Sequence, residues 1–410
     1  MAPDSRYSPR VLAKITHAGV SAISYEQAAR DLQVLAEVPV STKQVQRVTL
    51  GIGGERITQR DAQIAQWRDL SIPERLRSPR EQTPDLAVVQ MDGGRIQIFD
   101  RPRKEPAAEE SGASFWRETK VGCLLTMHSE VHAQDPCPEI PASFVNAAKM
   151  RELAGEIHSG AGVEEPPTEL AVPAAQRSSP RPGAPQPLVR TVIASMAPSN
   201  EFGEMLAAAA WARGFFGAPR KAFLGDGSAA IWGVWRACFS HYEPIVDFIH
   251  AIAYVFGAAL AGRSFATGWD VHRRWAQLVW SGRVAEVIAE LERRQVELGP
   301  PGDNDGDTAP CRVVAETLTY LRNQQSRMRY NEYRRQGPPI TTSHMESTVK
   351  QVSRRVKGSE KFWSNSGAEA MLQLRGDHLS DTQPLDSFWQ TRQAAATGQR
   401  HYRPRPSAQS

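Results

Sequence analysis

The chain has 410 residues, of which 40% are hydrophobic, and its 49 Lys and Arg against 45 Asp and Glu leave a net charge of +4. That length allows two or three domains and a real core, while the near-balanced charge carries no global signature of a nucleic-acid binder. The four cysteines include no C-x-x-C pair and the opening MAPDSRYSPR has no apolar stretch, so neither a disulfide framework nor a signal peptide is expected, and the reading is a reduced cytosolic protein.

Residues 10–60 read as helical. Residues 25–37 have helical spacing, with Ala28, Ala29, Leu32 and Leu35 on one face, and Val38-Pro39 breaks the pattern. Ser41 is a good N-cap for a second helix through Leu50. Two short helices joined by a tight turn, the second carrying Lys43, Gln44, Gln46 and Arg47, fit a DNA-binding helix-turn-helix; a plain helical hairpin fits the same pattern. In LAVVQMDGGRIQIF, residues 86–99, the first six residues read as a strand. Asp92-Gly93-Gly94 reads as a hairpin turn and RIQIF as the returning strand. RETKVGCLLTM, residues 117–127, adds a third strand, so three antiparallel strands are expected in a row, the first ending in Asp92. Residues 101–113 and 160–190 are rich in Pro, Ala, Glu and Ser. SSPRPGAPQP cannot hold a regular element, and 160–190 reads as a loop.

A strand at 190–196 and a helix at 201–211 lead into AFLGDGSAAIWGVW, residues 222–235. There an apolar strand runs into Gly225-Asp226-Gly227 and a helix follows from Ala229. Asp226 is thus placed at a strand's carboxyl end, where open α/β sheets put their chemistry. Its flanking glycines remove bulk and leave room for a ligand or metal; a turn or capping Asp is the plainer alternative. The longest apolar run, 245–262, holds Asp247 and His250 near its start, which argues against a membrane span. It reads as a buried strand turning into a buried helix. Helical pattern continues to about 330, apart from the loop GPPGDNDGDTAP at 299–310. GPPITTSHMESTVKQVSRRV then opens with a breaker and runs into a helix with Glu346 in its first turn. The tail after about 392 is polar and expected to be disordered.

Three carboxylates, Asp92, Asp226 and Glu346, therefore stand at structural junctions. Converging oxygens of this kind can hold two Mg²⁺ ions, and such a pair can activate a nucleophile and stabilise the leaving oxygen of a phosphodiester. The element order matches a ribonuclease-H-like core. The motifs VVQMDGGRIQIF, FLGDGSAAIW, VDFIH, YLRNQQSRMRYNEYRRQGPPITTSHMESTVKQVSRRVKGSEKFW and GAEAMLQLR together resemble bacterial insertion-sequence transposases with a DDE triad, related to the Mutator-like group. The resemblance covers roughly residues 15–390 and is most specific over 320–375. It implies that Asp92, Asp226 and Glu346 are the catalytic, metal-binding triad. It also implies that Asp247 and His250 form an Asp-x-x-His motif that braces the site or contacts DNA; a hydrogen-bonded core pair is the alternative. Mg²⁺, replaceable by Mn²⁺, is the implied cofactor. Transposon ends and target DNA are the implied partners, acting on a homodimer or larger oligomer in the bacterial cytoplasm at the nucleoid.

On this reading the fold is α/β: a ribonuclease-H-like mixed sheet with an all-helical insertion, preceded by an N-terminal helical domain. The chain divides into a DNA-binding domain (1–80), the first part of the catalytic core (81–250), the insertion (251–335), the final core helices (336–392) and a tail (393–410). Residues 320–361 carry ten Lys or Arg against three Glu. Arg329, Arg334, Arg335, Lys350, Arg354, Arg355 and Lys357 are the expected phosphate contacts, with Tyr320, Tyr330 and Tyr333 interleaved for stacking on bases; a solvated helix face is the plainer reading. Six of the ten Trp lie between 211 and 280 and read mostly as core. Cys123, His128, His132 and Cys137 lack the close cysteine pair of a zinc site. A non-catalytic DNA-binding repressor or decayed copy is the competing function.

Overall fold

The computed structural model describes residues 7–99, 115–157, 182–358 and 361–396. Three helices open the chain: α1 (Pro9–Ser21), α2 (Tyr25–Ala36) and α3 (Thr42–Asp69), followed by the short α4 (Ile72–Leu76). Their own small core is Ile15, Ala28, Leu32 and Val45. Ser24 and Ser41 cap α2 and α3 by accepting from the Gln27 and Gln44 amides. Leu35 does not join this core; it is 81% exposed, in the last turn of α2, which ends at Ala36 before the left-handed Glu37.

The helix from Ser41 does not stop at Leu50. It continues through Gly51, Gly53 and Gly54 to Asp69. Glycine lowers intrinsic helix stability, but at Gly53 a Cβ would stand 2.6 Å from the Ala370 carbonyl oxygen. The glycine is where a second helix crosses, and that packing outweighs local propensity.

The sheet comprises β1 (Leu86–Gln97), β2 (Trp116–His128), β3 (Gln186–Ser195), β4 (Arg220–Gly225) and β5 (Glu243–Val246), in spatial order β3-β2-β1-β4-β5. β2 pairs antiparallel with both β1 and β3, and β4 and β5 run parallel to β1. The hairpin expected at Asp92-Gly93-Gly94 does not form. Both glycines stay in β1, paired with Lys120 and Thr119, and neither has the positive φ that a two-residue hairpin turn needs. RIQIF is therefore the far half of β1, and the third strand is β3. β3 also begins at Gln186, so the end of the 160–190 stretch is strand; its residues 160–181, like 101–113 and the tail from 397, lie outside the described residues.

Between the strands run α5 (Ala147–Ile157), α6 (Ser199–Ala212) and α7 (Ala229–Cys238). After β5 come α8 (Phe248–Leu260), α9 (Phe265–Trp280), α10 (Val284–Leu298), α11 (Pro310–Gln324) and α12 (Tyr330–Gln336). The chain closes with α13 (Ser343–Val356), α14 (Asn365–Leu379) and α15 (Pro384–Ala394). α13 packs on β1 and β2, and α14 on β3 and α3. The apolar run at 245–262 is β5 followed by α8, as its pattern suggests, and α8 is buried along most of its length. The Trp-rich region packs inside: Trp232, Trp269, Trp275 and Trp280 are buried, and the Trp280 indole donates to the Cys137 carbonyl at 2.8 Å. Among the described residues no helix is long and apolar enough to cross a membrane, and all four cysteines are free.

Candidate active site

Strand register brings the first two carboxylates together. β1 and β4 pair in parallel, with Gln90 opposite Leu224 as their last partners. Asp92 and Asp226 each follow two residues later, where the β1–β4 pairing stops: Asp226 comes just after β4, whereas Asp92 lies inside β1, opposite Val121, because β1 does not end there as expected but runs on to Gln97 paired with β2. β4 and β5 end with Gly225 opposite Val246, which sets Asp247 beside Asp226 in the same way. Adjacent strands lie about 4.8 Å apart, so one edge of the sheet carries three Asp residues in a row.

The third carboxylate arrives from far along the chain. The segment before α13 is strapped across this edge: the Phe248 amide donates to the Ile340 carbonyl (2.9 Å) and the Thr342 amide to Asp247 Oδ1 (3.0 Å). α13 thus starts over the sheet's carboxyl end with Glu346 in its first turn. Asp247 is fully buried. Besides Thr342 it accepts from the Ile249 amide (3.4 Å), and its Oδ2 lies 2.6 Å from His250 Nδ1. One carboxylate therefore caps α8, anchors α13 and orients His250. The core-pair and bracing readings of Asp247 and His250 describe this geometry equally well.

The groups feel one another electrostatically. Burial lifts the Asp92 carboxyl above its ordinary range, and the charges of Asp226 and Asp247 add to that lift. Burial and Asp247 likewise raise Glu346, against the opposing pull of His250, Lys350 and Lys149. Burial alone would lower His250, but its bond to Asp247 and the charges of Asp247, Asp226 and Asp92 push it up to about 9. His250 is thus an imidazolium at neutral pH and partly neutralises a crowd of carboxylates. Lys149, on α5, is a cation near Glu346 that the sequence reading missed, because nothing in residues 147–157 marks a neighbour of a glutamate so far along the chain.

Among the described residues, no group of three or more His, Cys, Asp and Glu stands at metal-ligating separation. Asp92 Oδ1 accepts from the Gly93 amide, and Asp226 Oδ1 from the Ser228 amide. The donor chemistry nonetheless suits a hard divalent cation: all-oxygen ligands, two of them held at raised pKa by burial and mutual repulsion. The glycines beside Asp226 serve packing rather than open space. A Cβ on Gly225 would lie 2.4 Å from Ile231 Cγ2, and one on Gly227, where φ is +105°, 2.7 Å from the Tyr320 ring.

The expected phosphate contacts divide. Lys350, Arg354 and Lys357 are exposed; Lys350 and Arg354 share one stripe of α13 with Glu346, and Lys357 follows the helix as its C-cap. Arg335, Lys43 and Arg47 are also exposed, and Gln44 is half-buried. Arg334 and Arg355 are not available. Arg334 is buried over the Trp280 ring (3.9 Å to the centroid) and paired with Asp135. Arg355 is buried over Tyr25 (4.4 Å) and donates to the Gly19 carbonyl. Arg329 is bridged to Glu243 and Glu332. The three tyrosines do not face solvent as stacking platforms. The Tyr330 hydroxyl donates to the Val246 carbonyl inside the core, Tyr333 is buried against β5, and Tyr320 stacks on Tyr254 with ring centroids 3.8 Å apart. Cys123 is buried within β2 between Gln90 and Val192. Comparison of the chain with protein-family models finds no match, and none of the curated proteins matches it significantly.

Proposed function

We propose that the protein is a DDE transposase with a ribonuclease-H-like core, cleaving transposon ends and joining them to target DNA. The observation that carries this reading is the in-register placement of Asp92 and Asp226 at one sheet edge, with Glu346 delivered to the same edge by α13. A five-stranded mixed sheet with three antiparallel strands followed by two parallel ones supports the fold assignment. Asp92, Asp226 and Glu346 would hold the cation, Mg²⁺ or Mn²⁺. When bound, it supplies activation of a hydroxyl nucleophile and stabilisation of the departing phosphodiester oxygen. His250, held by Asp247, keeps the carboxylates from repelling one another before the cation arrives.

Lys350 and Arg354, about 6 Å apart along α13 at 1.5 Å per residue, and Lys357 at its C-cap form a cationic track next to Glu346. They suit the phosphates flanking a scissile bond. Hydrolysis breaks a P–O3′ bond at the element's end and leaves a 3′-hydroxyl. That hydroxyl then attacks a target phosphodiester, displacing the target's own 3′-oxygen. The helices at 9–69 are the proposed end-recognition module, through Lys43, Gln44 and Arg47. Pairing of two ends calls for at least a homodimer, and the site of action is DNA in the bacterial cytoplasm.

The test is incubation of the purified protein with the terminal DNA of its own element and Mg²⁺, beside Asp226→Asn. Cleavage and joining by wild type alone is the expected result; equal products from both proteins would sink the triad. A second reading, a non-catalytic DNA-binding repressor, is favoured by the lack of a ready-made ligand group among the described residues. It predicts end-specific binding without cleavage in either Mg²⁺ or Mn²⁺.

A further inference from the structure

The turn that carries Asp226 is held from outside the sheet. The Tyr320 hydroxyl donates to the Asp226 carbonyl at 2.8 Å, and the Gln324 amide donates to the Gly227 carbonyl at 2.9 Å. Both donors sit on α11, one turn apart, nearly a hundred residues after the turn. The Tyr320 ring is itself fixed by its near-parallel stack on Tyr254 of α8, at an interplanar angle of 8°. Gly227 lies against that ring with φ +105°, a conformation that L side chains avoid. Burial, then Tyr254 and Asp226, holds the Tyr320 hydroxyl well above the ordinary tyrosine range, so it remains a donor at any working pH. Gln324 is oriented in turn by Arg327, which donates to its side-chain oxygen at 2.9 Å.

We infer that Tyr320 and Gln324 are positioning residues for Asp226: the helical segment α8–α11 clamps the strand-to-helix turn through two carbonyls and so fixes where the Asp226 carboxylate points. The inference rests on the proposed role of Asp226 as a cation ligand, and it adds a function for the helical segment. Asp226 comes one residue after β4, whose last residue, Gly225, accepts from the Asp247 amide at 2.8 Å. Ser228 binds one of the Asp226 carboxylate oxygens, but that contact lies within the turn and moves with it. The clamp ties the turn to an independent element. An outer partner that orients a metal ligand typically contributes about 10–100-fold to metal affinity.

Tyr320→Phe deletes only the donor and keeps the stack. Gln324→Glu keeps the acceptor for Arg327 and sets an acceptor against the Gly227 carbonyl. Tyr333→Phe, which removes a buried hydroxyl bonded near Glu243, is the control for ordinary loss of a hydrogen bond. Three measurements decide. Hydrogen exchange should rise at amides 226–228 in Tyr320→Phe and in Gln324→Glu but not in Tyr333→Phe. The Mn²⁺ dissociation constant of the DNA-free protein, read by electron paramagnetic resonance, should rise about tenfold in the first two and stay within twofold in the control. Thermal unfolding of Tyr320→Phe should match that of the control. Unchanged exchange at 226–228 overturns the clamp, whatever the metal does. Faster exchange with unchanged Mn²⁺ affinity overturns the positioning role. Failure of wild type itself to bind Mn²⁺ sinks the catalytic reading and the positioning role with it, while the exchange data still decide whether the clamp exists.

Discussion

The two basic segments on either side of the 337–342 strap have similar composition and different uses. In α12, Arg329 bridges Glu243 and Glu332, and Arg334 is buried between Asp135 and Trp280. In α13, Lys350 and Arg354 are exposed along one stripe with Glu346, and Lys357 is exposed at the C-cap. The difference lies in what each helix packs against. α12 lies against Trp280 of α9 and Glu243 of β5, where long cationic stems cover rings and their heads find carboxylates or carbonyls. α13 turns its apolar residues Met345, Val352 and Val356 to the sheet, and the opposite face is left for water or for a polyanion. A count of Lys and Arg in the sequence does not separate these cases. The partners of each guanidinium do.

The comparison is broken most sharply at Arg334. Arg334→Ala leaves Asp135 with the Cys137 amide but without its cation and should cost about 3 kcal/mol, as removal of one partner of a buried ion pair does; chemical denaturation measures it. Retention of full stability would mean that α12 is as free as α13. Next in size is the α13 stripe. Lys350→Ala, Arg354→Ala and Lys357→Ala combined should leave the unfolding midpoint nearly unchanged. They should weaken DNA binding by about 10²-fold and flatten the slope of log affinity against log salt by about 3, the signature of three lost phosphate contacts. An unchanged salt slope would return the stripe to a solvated helix face.

His250 sharpens the comparison at the centre. Its folded pKa, about 9, lies above the ordinary histidine value. The stabilisation from its pairing with Asp247 is therefore complete below about pH 6.5 and is lost as pH rises through 9. Stability measured from pH 6 to 10 should fall by about 3 kcal/mol more in wild type than in His250→Gln. Parallel profiles would mean that His250 is neutral in the fold. The smallest effect is expected at Arg329, whose partners are half-exposed. Arg329→Ala should change stability by less than about 1 kcal/mol and DNA affinity less than any single substitution in the α13 stripe.

Some of this was legible in the residues. Ser24 and Ser41 sit where helix caps belong, β4 and α7 follow from an apolar run, a glycine break and a helical period, and β5 leads into α8 as its apolar run suggests. Local signals were strong there because tertiary packing agreed with them. Where packing opposed them, the sequence reading failed. Asp92-Gly93-Gly94 has turn chemistry, yet pairing with β2 holds it extended. Gly51-Ile52-Gly53-Gly54 has breaker chemistry, yet contact with α14 keeps it helical. The glycines around Asp226 suggested room for a ligand, and they are filled by Ile231 and Tyr320.

The sequence by itself determined most of the alternation of strands and helices, and it placed Asp226 and Glu346 at element boundaries, because periodicity and capping act within a few residues; Asp92, expected at a strand end, lies inside β1. Only the tertiary structure decided that parallel register sets Asp92, Asp226 and Asp247 side by side, that Asp247 draws α13 across the sheet edge, and that α11 grips the Asp226 turn. Those relations join positions tens to hundreds of residues apart. They depend on strand order, burial and hydrogen-bond partners, which no local window contains.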